Sequence, residues 1–553
     1  MEVSVIETKA FDNQKPGTSG LRKPTETFVQ ENYVENFTQS IFNAVGHSAH
    51  GRTVVVGGDG RYFMKESVHT IIKMAAANKI GKLIIGQDGI LSTPALSCLI
   101  RMRKAIGGII LTASHNPGGI KGDFGIKYNT SNGGPAPEAV TSEIFRHSSE
   151  IKEYRICKEV EVDISRIGQK RFRVNGKDFV VQIVDSVDDY LYMMKDIYDF
   201  KLLREYIKTQ NLRICVNAMN GVTGPYLKKI FEKELETGEG SVINSTPLVD
   251  FGGIHPDPNM TYAADFVDMM KKGEYDLGAC FDGDGDRNMI LGKEAFFVNP
   301  SDSVAIIAAH CQCIPYFKKT GIKGFARSMP TGSSLDKVAE KCGVKCHEVP
   351  TGWKFFGNLM DADQLSICGE ESFGTSSDHI REKDGVWAAL AWLSLLANQQ
   401  NSVQQIVEEH WKTYGRNFFT RYDYENVESK GANDMMTNLR QLASDQSLVG
   451  QAMSEQYTVQ LMDDFRFEDS IDQSVTEKQG IRIIFTDGSR LVFRLSGTGS
   501  SGATIRLYIE SFCNEDSKLQ TPTQEMLKPL VDMALKISNL VLLTGRSEPT
   551  VIT

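Results

Sequence analysis

The stretch GGIILTASHNPGGIKGDFGIKYN, Gly107 to Asn129, ends an apolar run on a serine backed by His, Asn, Pro and two glycines. A buried strand delivers its last side chains to an open rim, where α/β proteins place chemistry. Ser114 is therefore a candidate nucleophile, expected on a surface loop. In CFDGDGDRNM, Asp282, Asp284 and Asp286 alternate with glycines directly after another apolar run. Three carboxylates at that spacing repel one another unless a cation lies between them. An EF-hand is excluded, because Arg287 stands where its loop needs Gly and Lys293 where it needs Glu. Hard oxygen donors with positions left open suit Mg²⁺ and a phosphate oxygen; the plain alternative is a solvated acidic turn.

Three further stretches add binding chemistry. RLSGTGSSGATIR sets Ser496, Gly497, Thr498 and Gly499 between Arg494 and Arg506. Hydroxyls, glycine amides and guanidinium forks of this kind cradle a phosphate, whereas a merely flexible hairpin has no need of flanking arginines. CGEESFGTSSDHIREKDG places Glu370, Glu371 and Ser372 after the apolar LSIC, at a strand end suited to the hydroxyls of a sugar; taken alone, an exposed acidic turn fits nearly as well. KPGTSGLRK offers Thr18, Ser19 and Arg22 near the N-terminus, a weak signal by itself. Together, a serine without a Ser–His–Asp elbow, a cation site, a phosphate cradle and a polyol loop describe phosphoryl transfer to a sugar hydroxyl. Neither GxxxxGK[ST] nor a kinase glycine loop is present, so the phosphoryl group must come from the substrate or the enzyme.

The elements that must position these residues are legible as short apolar runs alternating with helix-period segments. TVVVGG, KLIIG, GGIIL, RICVN, LGACF and GIKGFARS read as strands, and ESVHTIIKMAAANK and TGSSLDKVAEKCG as amphipathic helices. The alternation predicts three successive mixed α/β domains with parallel sheets and crossover helices. Beyond about residue 415 the alternation has period two around an Asp-Gly turn, and TQEMLKPLVDMALKISNLVLL follows as one helix. A C-terminal α+β domain with an antiparallel sheet is expected there. The boundaries expected are 1–190, 191–300, 301–412 and 413–553, carrying in turn the serine, metal, sugar and phosphate loops.

With 553 residues, the chain has room for three or four domains at ~150 residues each. A net charge of −9 disfavours nucleic acid as a partner. The absence of a long apolar run and of a signal-like start argues against membrane insertion and for a cytoplasmic setting. Ten scattered cysteines show no disulfide framework, and the pairs Cys311/Cys313 and Cys342/Cys346 lack zinc-site spacing.

The strings KPGTSGLRK, TASHNPGG, FDGDGDR, PTGWKFFGNLMD, GEESFG, RLSGTGSSGATIRLY and PTVIT, spread over essentially the whole chain, resemble the eukaryotic phosphoglucomutase family of the α-D-phosphohexomutase superfamily. The resemblance implies a heart-shaped monomer with one central cleft, and interconversion of glucose 1-phosphate and glucose 6-phosphate. It implies that Ser114 is carried as phosphoserine, and that one Mg²⁺ per subunit is held by Asp282, Asp284, Asp286 and the seryl phosphoryl group. Glucose 1,6-bisphosphate would be intermediate and activator. His115, Lys127, Lys383 and Arg22 match basic positions the family uses in catalysis. Arg287, Thr351 and Gly352 join Thr18, Ser19, Glu370, Ser372 and the cradle as implied substrate contacts. Asn217 stands where relatives commonly carry Asp. Rival readings are a phosphomannomutase or phosphoacetylglucosamine mutase, against which GEESFG argues, and an adhesion-associated scaffold, against which the intact serine, metal and SGTG loops argue.

Overall fold

Strand Gly107–Leu111 is buried at every position, as expected of a central parallel strand covered on both faces. It lies beside Thr53–Gly58 in a seven-stranded sheet whose order is Leu21–Pro24, Asp123–Thr130, Gly107–Leu111, Thr53–Gly58, Lys82–Ile90, Lys177–Val184 and Gly168–Val174. The middle of that sheet is parallel, and Asp123–Thr130 returns antiparallel to Gly107–Leu111. The computed structural model describes residues 1–496 and 502–553.

Two four-stranded sheets follow with one shared pattern. Val242–Ile243, Ile214–Asn217 and Leu277–Phe281 are parallel, and Asn288–Gly292 returns antiparallel on the last of them. Cys346–Val349, Phe325–Ser328 and Ile367–Glu370 repeat this with Gly374–Ser377 as the antiparallel return. In all three α/β units the third parallel strand and its antiparallel return therefore enclose one connection. The serine, the aspartate triad and Glu371 each occupy that connection, and Glu370 is the last residue of the strand leading into it.

The C-terminal unit is a six-stranded sheet ordered Val459–Asp464, Ile481–Phe485, Arg490–Ser496, Ala503–Cys513, Arg416–Val427 and Val551–Ile552, with every pairing antiparallel. The expected C-terminal helix is two helices, Thr523–Ser538 and Leu540–Thr544. Asn539 between them is in the left-handed region at φ 50°, which ends a helix and which Asn tolerates. The strand expected over GIKGFARS is confined to Phe325–Ser328.

One continuous apolar core runs through the three α/β units. It is centred on helix Gly385–Gln399, which is apolar nearly all round and buried from Gly385 to Ala397. Asp384 caps that helix by accepting from the Trp387 amide at 3.1 Å. The C-terminal sheet has a separate core. Buried Arg490 ties it to the third unit, donating to the Met329 carbonyl at 2.7 Å and pairing with Glu510 at 2.5 Å.

Candidate active site

The serine loop is fixed from beneath by a buried ion pair. Asp59 accepts from Arg61 Nε through both oxygens, at 3.0 and 2.9 Å, and both side chains are fully buried. Arg61 also donates to the Ser114 carbonyl at 3.0 Å and to the Asp123 carbonyl at 2.6 Å, so it clamps the start and the end of the connection. Thr112 completes the clamp by donating to Asp59 at 2.5 Å and accepting from the Ser114 amide at 2.7 Å. Ser114 takes φ 54°, a left-handed conformation that this network holds. Ser114 corrects the expectation of a surface hydroxyl: it is 2% exposed and donates to Asp282 Oδ2 at 2.9 Å. The second unit's loop packs so tightly here that a Cβ on Gly283 would lie 2.6 Å from the Ser114 carbonyl oxygen.

The triad meets the requirements of a cation site. One oxygen from each of Asp282, Asp284 and Asp286 lies within 4.8 Å of the others, and all three residues are buried. Burial and then its two neighbours push Asp282 well above the ordinary aspartate pKa. Oδ1 of Asp284 and Oδ1 of Asp286 are sealed from solvent with no hydrogen-bond partner. A buried acceptor left in that condition is costly, and a hard divalent cation satisfies it. The remaining oxygens are engaged: Thr93 donates to Asp284 at 2.7 Å, the Arg287 amide donates to Asp282 at 3.0 Å, and Lys383 Nζ lies 3.0 Å from Asp286.

Bases and cations converge on the same place. His115 stacks on His255 at 6.1 Å and 8°, and burial, then Arg287, Arg22 and His255, hold its pKa well below that of free imidazole. Burial opposes the charge on Lys383, but Asp286, Glu370 and Asp282 outweigh it and raise its pKa, so it remains an ammonium. Lys127 pairs with buried Glu382 of the third unit, which also accepts from Asn129 at 2.8 Å. Arg22 lies on the edge strand Leu21–Pro24, behind the tight turn carrying exposed Thr18 and half-buried Ser19. Burial lowers its pKa, Asp284 opposes that shift, and its Nε has no partner. Arg287 lies 3.7 Å from Asp257 and 3.9 Å from Asp286.

The third unit supplies Glu370 at 4% exposure and Ser372 at 6%, so the exposed-turn alternative does not hold. Glu370 accepts from the Gly352 amide at 3.2 Å, and burial raises its pKa against the pull of Lys383. Gly352 has φ 133°, which only glycine adopts readily. Thr18 and Thr351 line one cavity of about 440 Å³ where the first, third and C-terminal units meet. In the C-terminal sheet, Arg494 and Arg506 stand opposite each other on adjacent strands, with Ser496 two residues beyond Arg494. Gly497, Thr498 and Gly499 lie outside the described residues. Asn217 is satisfied locally, accepting from the Met219 amide at 2.8 Å and from Asn244 at 3.1 Å.

Four residues at the site carried no local sequence signal: His255, Asp257, Arg421 and Asp423. They contribute to a set of buried polar atoms without partners drawn from every unit, which also includes atoms of Arg22, His115, Arg287, Thr351, Glu371 and Arg506. Buried polar groups in native proteins are normally satisfied, so such a cluster marks a ligand site.

Models of the phosphoglucomutase/phosphomannomutase α/β/α domains I, II and III match residues 13–155, 188–295 and 300–414. A fourth, the phosphoglucomutase-1 C-terminal domain, matches 416–550. The fold and the site are thus those of a phosphohexomutase. Human phosphoglucomutase-1 is 58% identical over the full length of both chains, and Drosophila melanogaster phosphoglucomutase 1 is 53% identical over the full length of both. The crystal structure of pp63/parafusin, a phosphoglucomutase from Paramecium, in its open form, superposes with a TM-score of 0.91 at 46% identity, covering 100% of this chain and 99% of that one. The chain belongs to the phosphoglucomutase-1 family.

Proposed function

We propose that this chain interconverts glucose 1-phosphate and glucose 6-phosphate, with Ser114 carrying a phosphoryl group between turnovers and glucose 1,6-bisphosphate as the bound intermediate. The observation that carries this reading is the cluster of unpartnered buried donors and acceptors around Ser114. Arginine donors and carboxylate acceptors interleaved in one place suit a ligand that is both an anion and a polyol.

In the first half-reaction the Ser114 Oγ–P bond breaks as a sugar hydroxyl oxygen bonds to phosphorus, and the hydroxyl proton passes by way of an enzyme base to the serine oxygen. In the second, Ser114 Oγ bonds to the other phosphorus as its sugar O–P bond breaks, and the serine proton passes to the freed sugar oxygen. Between the two the bisphosphate reorients, and the enzyme ends as it began. Mg²⁺ held by Asp282, Asp284, Asp286 and the seryl phosphoryl group, one ion per subunit, would neutralise charge on the group in transfer. His115, kept neutral, and Lys127 handle the proton beside the serine, while Lys383 and Arg22 stay cationic and offset the phosphoryl charge. Arg494, Ser496, Gly497, Thr498, Gly499 and Arg506 hold the phosphate that is not reacting. Thr18, Ser19, Arg287, Thr351, Gly352, Glu370 and Ser372 hold the sugar in both orientations.

The division at 1–190, 191–300, 301–412 and 413–553 belongs to the same proposal, supported by one main sheet and one loop in each part, although the first boundary falls inside the helix Asp188–Ile197. So do action as a monomer and a setting in the cytoplasm; ten free cysteines and a plant relative named as cytoplasmic support the second, while another plant relative is named as chloroplastic. No helix among the described residues is long and apolar enough to cross a membrane.

The test is a coupled assay of glucose 1-phosphate conversion with and without Mg²⁺ and catalytic glucose 1,6-bisphosphate. Activity that requires both is expected, with glucose 1-phosphate preferred to mannose 1-phosphate. The preference should be moderate, because one lost polar contact costs about 1–3 kcal/mol. Inactivity under every condition would favour a scaffold, and equal use of mannose 1-phosphate would favour a phosphomannomutase.

A further inference from the structure

Glu371, the neighbour of Glu370 in the sugar loop, is 1% exposed, and its Oε1 lies 3.8 Å from Nη1 of Arg421 in the C-terminal sheet. Arg421 is itself 4% exposed, and its Nη2 lies 2.9 Å from Oδ2 of Asp423. The other oxygen of Asp423 stands 3.8 Å from Nε of Arg506. Strand register explains the alignment. Arg421 and Asp423 are two apart on Arg416–Val427 and share a face, opposite Tyr508 and Arg506 of the adjoining strand. A line of alternating charge thus runs from the sugar loop of the third unit to the phosphate cradle of the C-terminal unit.

Each member has hydrogen-bonding capacity unused. Glu371 Oε2, Arg421 Nε and Nη1, Asp423 Oδ1 and Arg506 Nε are all sealed from solvent without a partner. Two of the contacts are 3.8 Å, and a shift of about 1 Å would bring each to hydrogen-bond length. A purely structural ion pair left in this half-made state stabilises poorly. Other links join the third unit to the C-terminal sheet, among them Arg490 to the Met329 carbonyl at 2.7 Å, but this line runs directly from a sugar-loop side chain to a cradle arginine.

We propose that Arg421 is a positioning residue that couples phosphate capture in the C-terminal unit to sugar recognition in the third. It rests on the proposed function. Its planar fork reaches Glu371 with one nitrogen and Asp423 with the other, which a lysine ammonium cannot reproduce. It neutralises two buried carboxylates that would repel an incoming phosphate, and it sets Glu371, and with it Glu370 and Ser372, relative to Arg506.

The experiment compares inorganic phosphate and glucose 6-phosphate binding by calorimetry to the full chain and to Arg421→Lys, Glu371→Gln and the double variant. Arg421→Lys keeps the charge, so phosphate affinity should stay within about threefold. Glucose 6-phosphate affinity should fall roughly ten- to hundred-fold, the worth of a charge-assisted hydrogen bond. Glu371→Gln should produce a similar selective loss, and adding it to Arg421→Lys should cost little more, since the two act as one link. Parallel loss of both ligands, or additive losses in the double variant, would overturn the coupling alone. Wild-type protein that binds glucose 6-phosphate no more tightly than phosphate would overturn the proposed function and the coupling with it.

Discussion

At the scale of single residues, the Ser114 hydroxyl is worth more to chemistry than to stability. Ser114→Ala removes one hydrogen bond to Asp282, at a cost of about 1–3 kcal/mol, and should leave the fold intact while turnover disappears. Intact mass should show a phosphate adduct on the wild type that the variant lacks; a variant turning over at a near-wild-type rate would refute the seryl carrier. Asp284→Asn should raise the Mg²⁺ concentration needed for half-maximal activity and lower kcat more than it raises KM. A Mg²⁺ titration decides between that and an unchanged requirement. His410 is a different case, remote in function and readable through pH. Burial holds its pKa at about 3, with the ring against Tyr414 and Nε2 at 3.3 Å from Ser334. The unfolded chain takes up a proton near the ordinary imidazole pKa and the folded chain does not. Stability is therefore lost as pH falls through that window, by up to about 1.4 kcal/mol per pH unit from this residue. His410→Gln should lose less stability than the wild type between about pH 7 and about pH 4, measured by urea unfolding. Ser114, the triad and Glu370 were legible because each closes an apolar run within its own string. Arg421 and Asp423 were not, since in RNFFTRYDYENV they look like any polar pair on one face of a strand, and only the neighbouring unit makes that face interior.

At the scale of elements, the same connection is used three times, between a third parallel strand and its antiparallel return. Its support differs in each unit, and in the first it is the buried Asp59–Arg61 pair. Asp59→Asn or Arg61→Met leaves a partner charge buried without compensation, so each should destabilise the chain by about 3–5 kcal/mol. Denaturant unfolding measures this, and a loss under about 1 kcal/mol would mean that the loop is held by its backbone alone. The strands Thr53–Gly58, Gly107–Leu111 and Leu277–Phe281 coincide with the runs read from sequence, because strands buried along nearly all their length carry almost no polar position to blur their ends. The break at Asn539 leaves no mark in the sequence, because apolar periodicity continues across it and the left-handed turn depends on one residue's backbone. The burial of Ser114 is not legible in its own string for a related reason: a loop is buried or not according to what lands on it, here the glycine loop of the second unit.

At the scale of the whole molecule, the site exists only where four units meet, so its unmet polar groups are a debt of the assembled fold. A ligand that satisfies them should raise the thermal midpoint, and glucose 6-phosphate at about 100 times its Kd should add about 2.7 kcal/mol. Differential scanning fluorimetry with and without the sugar phosphate is the check, and no shift at saturating ligand would show that the unpartnered atoms do not face it. The unmet donors and acceptors also set a direction for mutation. Replacing Arg421, Glu371 and Asp423 all together with apolar side chains of similar volume would relieve buried charge and make a firmer, inert protein. The cleft is thus held below the stability its own packing could reach, and a variant dried out in this way should be recognised by a higher melting point together with lost turnover, even with its serine loop intact.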